Sequence, residues 1–120
     1  MDLFSELGKH IPTAIMLYNF AKPFLVKTGE SIAKKIGEDI WNHIKSSFSS
    51  KEEKELVEKV EKIVTLSKEE QASLEANFIQ ILADKIRTDP EFNKNSDLRI
   101  QQAQKIINIE TIHGGATFNL

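Results

Sequence analysis

The sequence predicts a mainly α-helical protein, a bundle of four to five helices that ends in a C-terminal β-hairpin or strand extension. Up to about Arg99 the apolar residues recur every three or four positions, which is typical of amphipathic helices. From Lys105 onward β-branched residues alternate with polar ones around a Gly-Gly pair, which is typical of a hairpin. We therefore predict a helical bundle over residues 1–97. Residues 98–120 are predicted as a tail that belongs to the same domain or serves as an assembly tag.

The first predicted helix begins at Pro12, because proline suits the first turn of a helix, and continues to about Ala21. Pro23 lacks an N–H group and disfavours helix at the residue before it, so we expect a kink there or the start of a second helix. Residues 13–26 form the most apolar stretch of the chain. Crossing a bilayer takes about 20 apolar residues, and this shorter stretch also contains a lysine and a proline. It is therefore predicted to be a core helix.

The second predicted helix, from Pro23 to about Phe48, has the clearest amphipathic pattern. Its apolar row steps by four residues through Ile32, Ile36, Ile40, Ile44 and Phe48. A parallel row of mostly small residues consists of Gly29, Ala33, Gly37 and Trp41. A glycine inside a helix costs about 1 kcal/mol relative to alanine. We therefore predict that another helix approaches this row closely, either the first helix of the same chain or a helix of a second copy.

Two capping boxes mark the next helices. In each, a serine is followed three residues later by a glutamate, as in Ser50 with Glu53 and Ser67 with Glu70. These signals predict a third helix over residues 51–64 and a fourth over residues 68–87. Pro90 and several asparagine and serine residues follow, so residues 88–97 are predicted to be a linker.

The tail is predicted to be a two-faced hairpin with its turn at Gly114 and Gly115. Alternation puts most of its apolar side chains on one face, and the predicted interaction residues are Ile107, Ile109, Phe118 and Leu120. An isolated two-stranded hairpin is marginal in water. Its apolar face is therefore expected to cover the domain's own core, or its edge to pair with another chain.

Composition narrows the class of protein. The chain is 40% hydrophobic and 28% charged, with a net charge of -2 and a pI near 5.9, which indicates a globular protein without a nucleic-acid partner. It contains no cysteine, so disulfides and thiolate metal sites are excluded. His10, His43 and His113 lie far apart and are predicted to be surface or boundary residues rather than metal ligands. The N-terminus has no pattern typical of a secretory signal, so a cytoplasmic location is expected.

Catalytic patterns are missing from the sequence. The serines near residue 50 are not set in a strand–turn–helix elbow, so they do not indicate a nucleophile. The Gly-Gly pair precedes a strand-like segment and lacks the helix N-terminus that a phosphate-binding loop needs. We therefore predict a protein that is not an enzyme and that has no cofactor and no metal.

Two segments carry a resemblance to a known kind of domain. In the second predicted helix the motif residues are Leu25, Lys27, Gly29, Glu30, Gly37, Glu38 and Trp41. In the tail they are Ile107, Asn108, Ile109, Ile112, Ala116 and Phe118. Together they resemble a little-characterised family of bacterial helical effector-associated or adaptor domains. The resemblance implies a module that couples sensors to effectors by homotypic contact in signalling or defence (conflict) systems.

The predicted function is that of a helical protein-interaction or adaptor module, which self-associates or recruits an effector or sensor domain. One alternative is a membrane-active, toxin-like protein that inserts residues 13–26, although the first fifty residues are not strongly cationic. Another is a structural or capping domain with no partner of its own. The sequence leaves open the partner, the stoichiometry and whether the tail pairs within or between chains.

Overall fold

The computed structural model describes the backbone of residues 3–114 and the side chains of residues 8–107. The predicted helical bundle is confirmed. The elements, in order, are α1 (Leu3–Val26), α2 (Ser31–Ser47), α3 (Lys51–Glu61), a short 3-10 turn (Ile63–Thr65), α4 (Lys68–Thr88) and α5 (Pro90–Gly114). The central helix α1 packs against both α2 and α4, and α5 lies across α4, α1 and α2.

The first helix is longer than predicted. It begins at Leu3 rather than at Pro12 and passes through both Pro12 and Pro23 without ending. A proline inside a helix costs about 3 kcal/mol or more because it removes one backbone hydrogen bond and crowds the preceding turn. Here the helix is held on both sides of Pro23 by fully or nearly fully buried side chains, among them Leu17, Ala21 and Leu25. Tertiary packing therefore outweighs the local preference.

The break between α1 and α2 lies at residues 27–30. Lys27 has a left-handed backbone (φ 56°), and the N–H of Thr28 donates to the carbonyl of Pro23 at 3.1 Å. This pairing is the Schellman arrangement that ends many helices. Gly29 follows with φ 90°, a conformation that glycine adopts more easily than other residues. Gly29 therefore belongs to the connection. The predicted row with Ala33, Gly37 and Trp41 places Gly29 in the second helix, and this placement is wrong.

Both predicted capping boxes are confirmed. The Ser50 hydroxyl accepts from the Glu53 N–H and the Glu53 carboxylate accepts from the Ser50 N–H, each at 3.1 Å. Ser67 and Glu70 repeat the arrangement at 3.2 and 3.1 Å. Each box satisfies two N–H groups that a helix start would otherwise leave without partners. The α-helical part of α3 ends at Glu61, three residues before the predicted end, and the 3-10 turn follows.

The predicted linker over residues 88–97 is wrong, because α5 begins at Pro90. The Asp89 carboxylate accepts from the N–H groups of Glu91 and Phe92, each at 3.1 Å, and so caps the new helix. Aspartate before proline at the first helical position is a helix start signal, since the proline has no N–H to leave unsatisfied. The Asp-Pro pair therefore marks a sharp helix-to-helix junction.

The predicted strand tail is not found in the described residues. α5 continues through Gly114, so the part of the predicted hairpin before Gly115 is helical, and residues 115–120 lie outside the described part. The physical reason is an apolar stripe at helical spacing along α5, which packs against the core. Its inward positions are Phe92, Ser96, Ile100, Ala103 and Ile107. Ile107 continues this spacing of three and four residues. The helical pattern therefore prevails over the strand-like alternation of β-branched residues that begins there.

Phe78 of α4 lies at the centre of an aromatic cluster. Its ring centroid is 5.5 Å from that of Trp41, 5.7 Å from that of Phe48 and 6.0 Å from that of Tyr18. The three neighbours come from α1, α2 and the residue that follows α2, so the cluster joins the core helices. Tilted and edge-on pairs of this kind contribute about 0.5–1.5 kcal/mol beyond their buried area.

Two glutamates satisfy the polar atoms of this cluster. The Tyr18 hydroxyl donates to Glu75 Oε2 at 2.5 Å, and the Trp41 Nε1–H donates to a Glu61 carboxylate oxygen at 2.9 Å. Each carboxylate also contacts a lysine one turn beyond the aromatic residue, Lys22 at 3.2 Å and Lys45 at 3.2 Å. Burial raises the pKa of the Tyr18 phenol, and its hydrogen bond to Glu75 raises it further, so the phenol remains a donor.

Candidate functional site

The predicted helix-packing row is brought together only in part. A Cβ atom on Gly37 would lie 2.9 Å from the carbonyl oxygen of Phe20 and 2.9 Å from Cβ of Phe24, so α1 and α2 cross closely at this glycine, as predicted. Ala33 is half-buried and Trp41 is fully buried in the aromatic cluster. The close approach is to α1 of the same chain. Gly37 and Trp41 are therefore occupied by contacts within the chain, whereas Gly29 is exposed in the connection before α2.

One open surface of the described part is a groove between α2 and α5, called here the α2–α5 groove. Spacing of three and four residues brings one row of each helix to it, since such residues share a helix face. Its apolar lining consists of Ile32, Ile36, Ile40, Ala103 and Ile106. Ile36, Ile40 and Ala103 are buried and form the floor, whereas Ile106 is 42% exposed on the wall.

The border of the α2–α5 groove is polar and carries both charges. The Arg99 guanidinium donates to an Asp39 carboxylate oxygen at 2.8 Å and so ties α5 to α2 at one end. Both side chains are exposed, and ion pairs of this kind contribute about 0–1 kcal/mol. Lys35 and Gln102 also line the border. A partner for this groove would need an apolar centre. It would meet little net charge at the border, because positive and negative side chains both lie there.

A buried polar pair lies beside the groove at the same helix interface. The His43 Nε2 atom is 2.9 Å from the Ser96 hydroxyl, and the His43 ring stacks on Phe92 with centroids 4.9 Å apart. Both His43 and Ser96 are buried. Burial lowers the pKa of His43, the Arg99 charge lowers it further, and Asp39 acts in the opposite direction. His43 is therefore favoured in its neutral form.

The prediction that His43 is a surface or boundary residue is wrong, because its side chain is buried at the interface of α2 and α5. His43 shares the inward face of α2 with Ile36, Ile40 and Ile44, and Ser96 lies on the inward stripe of α5. Helical spacing alone could have located both residues, but their contact joins positions 53 apart in the sequence. His10 is half-buried, in agreement with the prediction, and the His113 side chain lies outside the described residues.

Of the four predicted tail residues, only Ile107 has a side chain in the described part. Ile107 is half-buried in α5 and packs against the core. Ile109 belongs to α5 by its backbone, but its side chain is outside the described residues. Phe118 and Leu120 also lie outside them. The predicted apolar face of these four residues therefore lies largely outside the described side chains.

A second, more charged groove lies between the end of α3 and the start of α4. Leu66 and Leu74 contribute its apolar surface, and Val64 nearby is 48% exposed. Lysines and glutamates make up much of the remaining lining, among them Lys59, Lys62, Glu69 and Glu70. Fewer apolar side chains line this surface than line the α2–α5 groove, so we take the α2–α5 groove as the candidate site.

Among the described residues, no cluster of three or more histidine, aspartate or glutamate side chains could hold a metal ion. None of the helices in the described part is long and apolar enough to cross a membrane. Comparison with protein families, curated proteins and solved structures gave no significant match.

Proposed function

We propose that this chain is a helical protein-interaction module that self-associates through the α2–α5 groove. The observation that carries the proposal is the apolar surface there. Ile106 is 42% exposed beside the buried floor of the groove, and Ile32 on the α2 side of the groove is half-buried. Contiguous exposed apolar surface with a polar border is typical of protein interfaces.

The charges at the border support a second copy as the partner. In a two-fold dimer the same patch meets itself, so a patch of one charge would repel its own copy. Here Lys35 and Arg99 are positive and Asp39 between them is negative, so like charges do not dominate. The patch is thus compatible with contact between identical faces.

A role in bacterial signalling or defence is part of the same proposal. Its support is the resemblance of residues 25–41 and the tail to effector-associated and adaptor domains, which act through homotypic contact. Effector or sensor domains are the corresponding heterologous partners.

The packing of α1 argues against the membrane-active alternative. Within residues 13–26 the side chains of Leu17, Tyr18, Ala21 and Leu25 are buried in the core. Releasing them into a lipid phase would first require the aromatic cluster to open. Only Ile15 and Met16 are large apolar residues exposed on this segment.

The test is the mass of the purified chain by light scattering over a range of concentrations. We expect a dimer or larger species, and we expect Ile106→Glu to lower the mass because it places a charge in the apolar groove. Gln101→Glu adds the same charge at an exposed position of α5 outside the groove and should leave the mass unchanged. A monomer at all concentrations would overturn the proposal, and binding to anionic vesicles by that monomer would favour the alternative.

A further inference from the structure

The chain passes the α2–α5 groove and then continues beyond the described residues. α5 lines the groove from Arg99 to Ile106 and then extends to Gly114, after which residues 115–120 follow. These last residues read GATFNL, in which Ala116, Phe118 and Leu120 alternate with polar residues. An extended peptide of this pattern presents its apolar side chains on one side.

The dimensions of the groove suit such a peptide. From the helical rise per residue, Arg99 and Ile106 lie about 10 Å apart along α5. From the reach of an extended chain, Ala116 and Leu120 lie up to about 14 Å apart. The three apolar side chains can therefore span the length of the groove. Its floor of Ile36, Ile40 and Ala103 offers no buried charge that would oppose an aromatic ring.

The same dimensions disfavour binding within one chain. Gly114 lies about 12 Å beyond Ile106 along the helix axis and about 22 Å beyond Arg99, from the helical rise. Residues 115–120 reach at most about 20 Å when fully extended, and part of that length is needed to reverse direction. In its own chain only the last residues of the segment would arrive at the near end of the groove. A segment from a second copy is not subject to this limit.

We infer that the apolar groove between α2 and α5 binds residues 116–120 of a second copy of this chain, with Phe118 seated on the floor formed by Ile36, Ile40 and Ala103. This inference rests on the proposed self-association and names the segment that brings it about. In a two-fold dimer the exchange is reciprocal, so each copy supplies one segment and one groove. The closed exchange stops at two chains.

The experiment uses two full-length variants, one with a damaged groove and one with a damaged segment. Ile106→Glu damages the groove at a partly exposed residue, and Phe118→Asp damages the segment. Each variant alone should dimerise at least about thirtyfold more weakly, which is the size of effect that loss of a buried anchor produces. Thr117→Asp, on the polar side of the segment, should weaken dimerisation far less. Ile32→Glu serves as a second groove variant if Ile106→Glu lowers the melting temperature.

Mixing the two variants decides the arrangement. The Phe118→Asp chain keeps an intact groove and the Ile106→Glu chain keeps an intact segment, so an equimolar mixture should recover dimers that neither variant forms alone. No recovery on mixing would overturn the inference that the segment comes from a second copy.

The outcomes also separate this inference from the proposed function. If Phe118→Asp leaves the mass unchanged while Ile106→Glu lowers it, the groove mediates self-association without the segment, and only the inference fails. If neither substitution changes the mass of an oligomeric wild type, or if the wild type is monomeric, the proposed function of the groove fails as well.

Discussion

The aromatic cluster at Phe78 and the interface of α5 both combine aromatic rings with hydrogen bonds, but the hydrogen bonds differ in strength. At the cluster, Tyr18 and Trp41 donate to glutamate carboxylates, and each carboxylate also contacts a lysine. At α5, the stacked pair of His43 and Phe92 is accompanied by a hydrogen bond to the neutral Ser96 hydroxyl.

Hydrogen bonds to charged groups contribute about 1.5–3 kcal/mol, and those between neutral groups contribute about 1 kcal/mol. Lys85 adds a further link at the cluster, since its ammonium group lies 5.6 Å from the Phe48 ring centroid and 3.0 Å from the Glu53 carboxylate. The comparison indicates a firmly held unit of α1, α2 and α4 to which α5 is attached less strongly. Local opening of a protein starts in such weakly attached elements.

The largest expected effect is at the centre of the cluster. Phe78→Ala should lower the free energy of unfolding by about 3–5 kcal/mol, because it removes a fully buried ring and leaves a cavity among three other aromatic residues. Chemical denaturation followed by circular dichroism measures this change. Phe92→Ala, at the buried stack on α5, should instead increase amide exchange mainly in α5. Equal loss of protection in all helices from Phe92→Ala would contradict the distinction between the two regions.

A smaller effect is expected at the crossing of α1 and α2. Gly37→Leu should cost about 1–3 kcal/mol, because even its Cβ would lie 2.9 Å from a backbone oxygen of α1 that cannot move easily. Thermal melting measures the shift. Gly8→Ala is the matched control, since a Cβ at Gly8 meets no atom within 4 Å, and better helix propensity should raise stability by up to about 1 kcal/mol. A higher melting temperature for Gly37→Leu would exclude the close crossing.

The smallest expected effect is a dependence on pH at the α5 interface. Folding lowers the pKa of His43, so the unfolded chain binds this proton more readily than the folded chain. The stability that comes from this difference in pKa is fully present above the pKa of His43 in the unfolded chain, about 6.5. It is lost as the pH falls from there through the lower pKa of the folded state. Melting temperatures between pH 7.5 and 5 should therefore decrease on acidification.

Substitution isolates the contribution of this histidine. His43→Gln should reduce the decrease over that range, whereas His10→Gln, which leaves the buried pair intact, should retain it. An unchanged slope in the His43 variant would mean that other groups cause the acid sensitivity.

The local signals in the sequence were sufficient for the middle of the chain. Ser50 with Glu53 and Ser67 with Glu70 cap α3 and α4 as predicted, because a capping box involves only residues within one turn. Gly37 was located from its place in a row on α2, and the structure supplied the neighbour, α1. Such features need no knowledge of distant contacts.

The errors arise where tertiary packing or a second signal competes with the local pattern. Pro12 and Pro23 predict helix boundaries, but α1 passes through both, and buried residues on both sides of Pro23 hold the helix there. Asp89 and Pro90 were assigned to a linker, although the same pair begins α5. The β-branched residues from Ile107 suggested a strand, but Ile107 also continues the inward stripe of a helix. The contact of His43 with Ser96 could not be predicted from spacing within either helix.

The short connection at residues 27–30 bears on the order in which the chain folds. It joins two helices that cross at Gly37, and closing so short a loop costs little entropy. Contacts close in sequence form quickly, so the α1–α2 hairpin is a natural folding nucleus. Substitutions at Gly37 should then slow refolding more than they accelerate unfolding, and those at Phe92 should do the reverse, as stopped-flow kinetics would measure. Gly37, which allows the close crossing of α1 and α2 in the native protein, would thereby also govern how rapidly a newly made chain leaves its unfolded state.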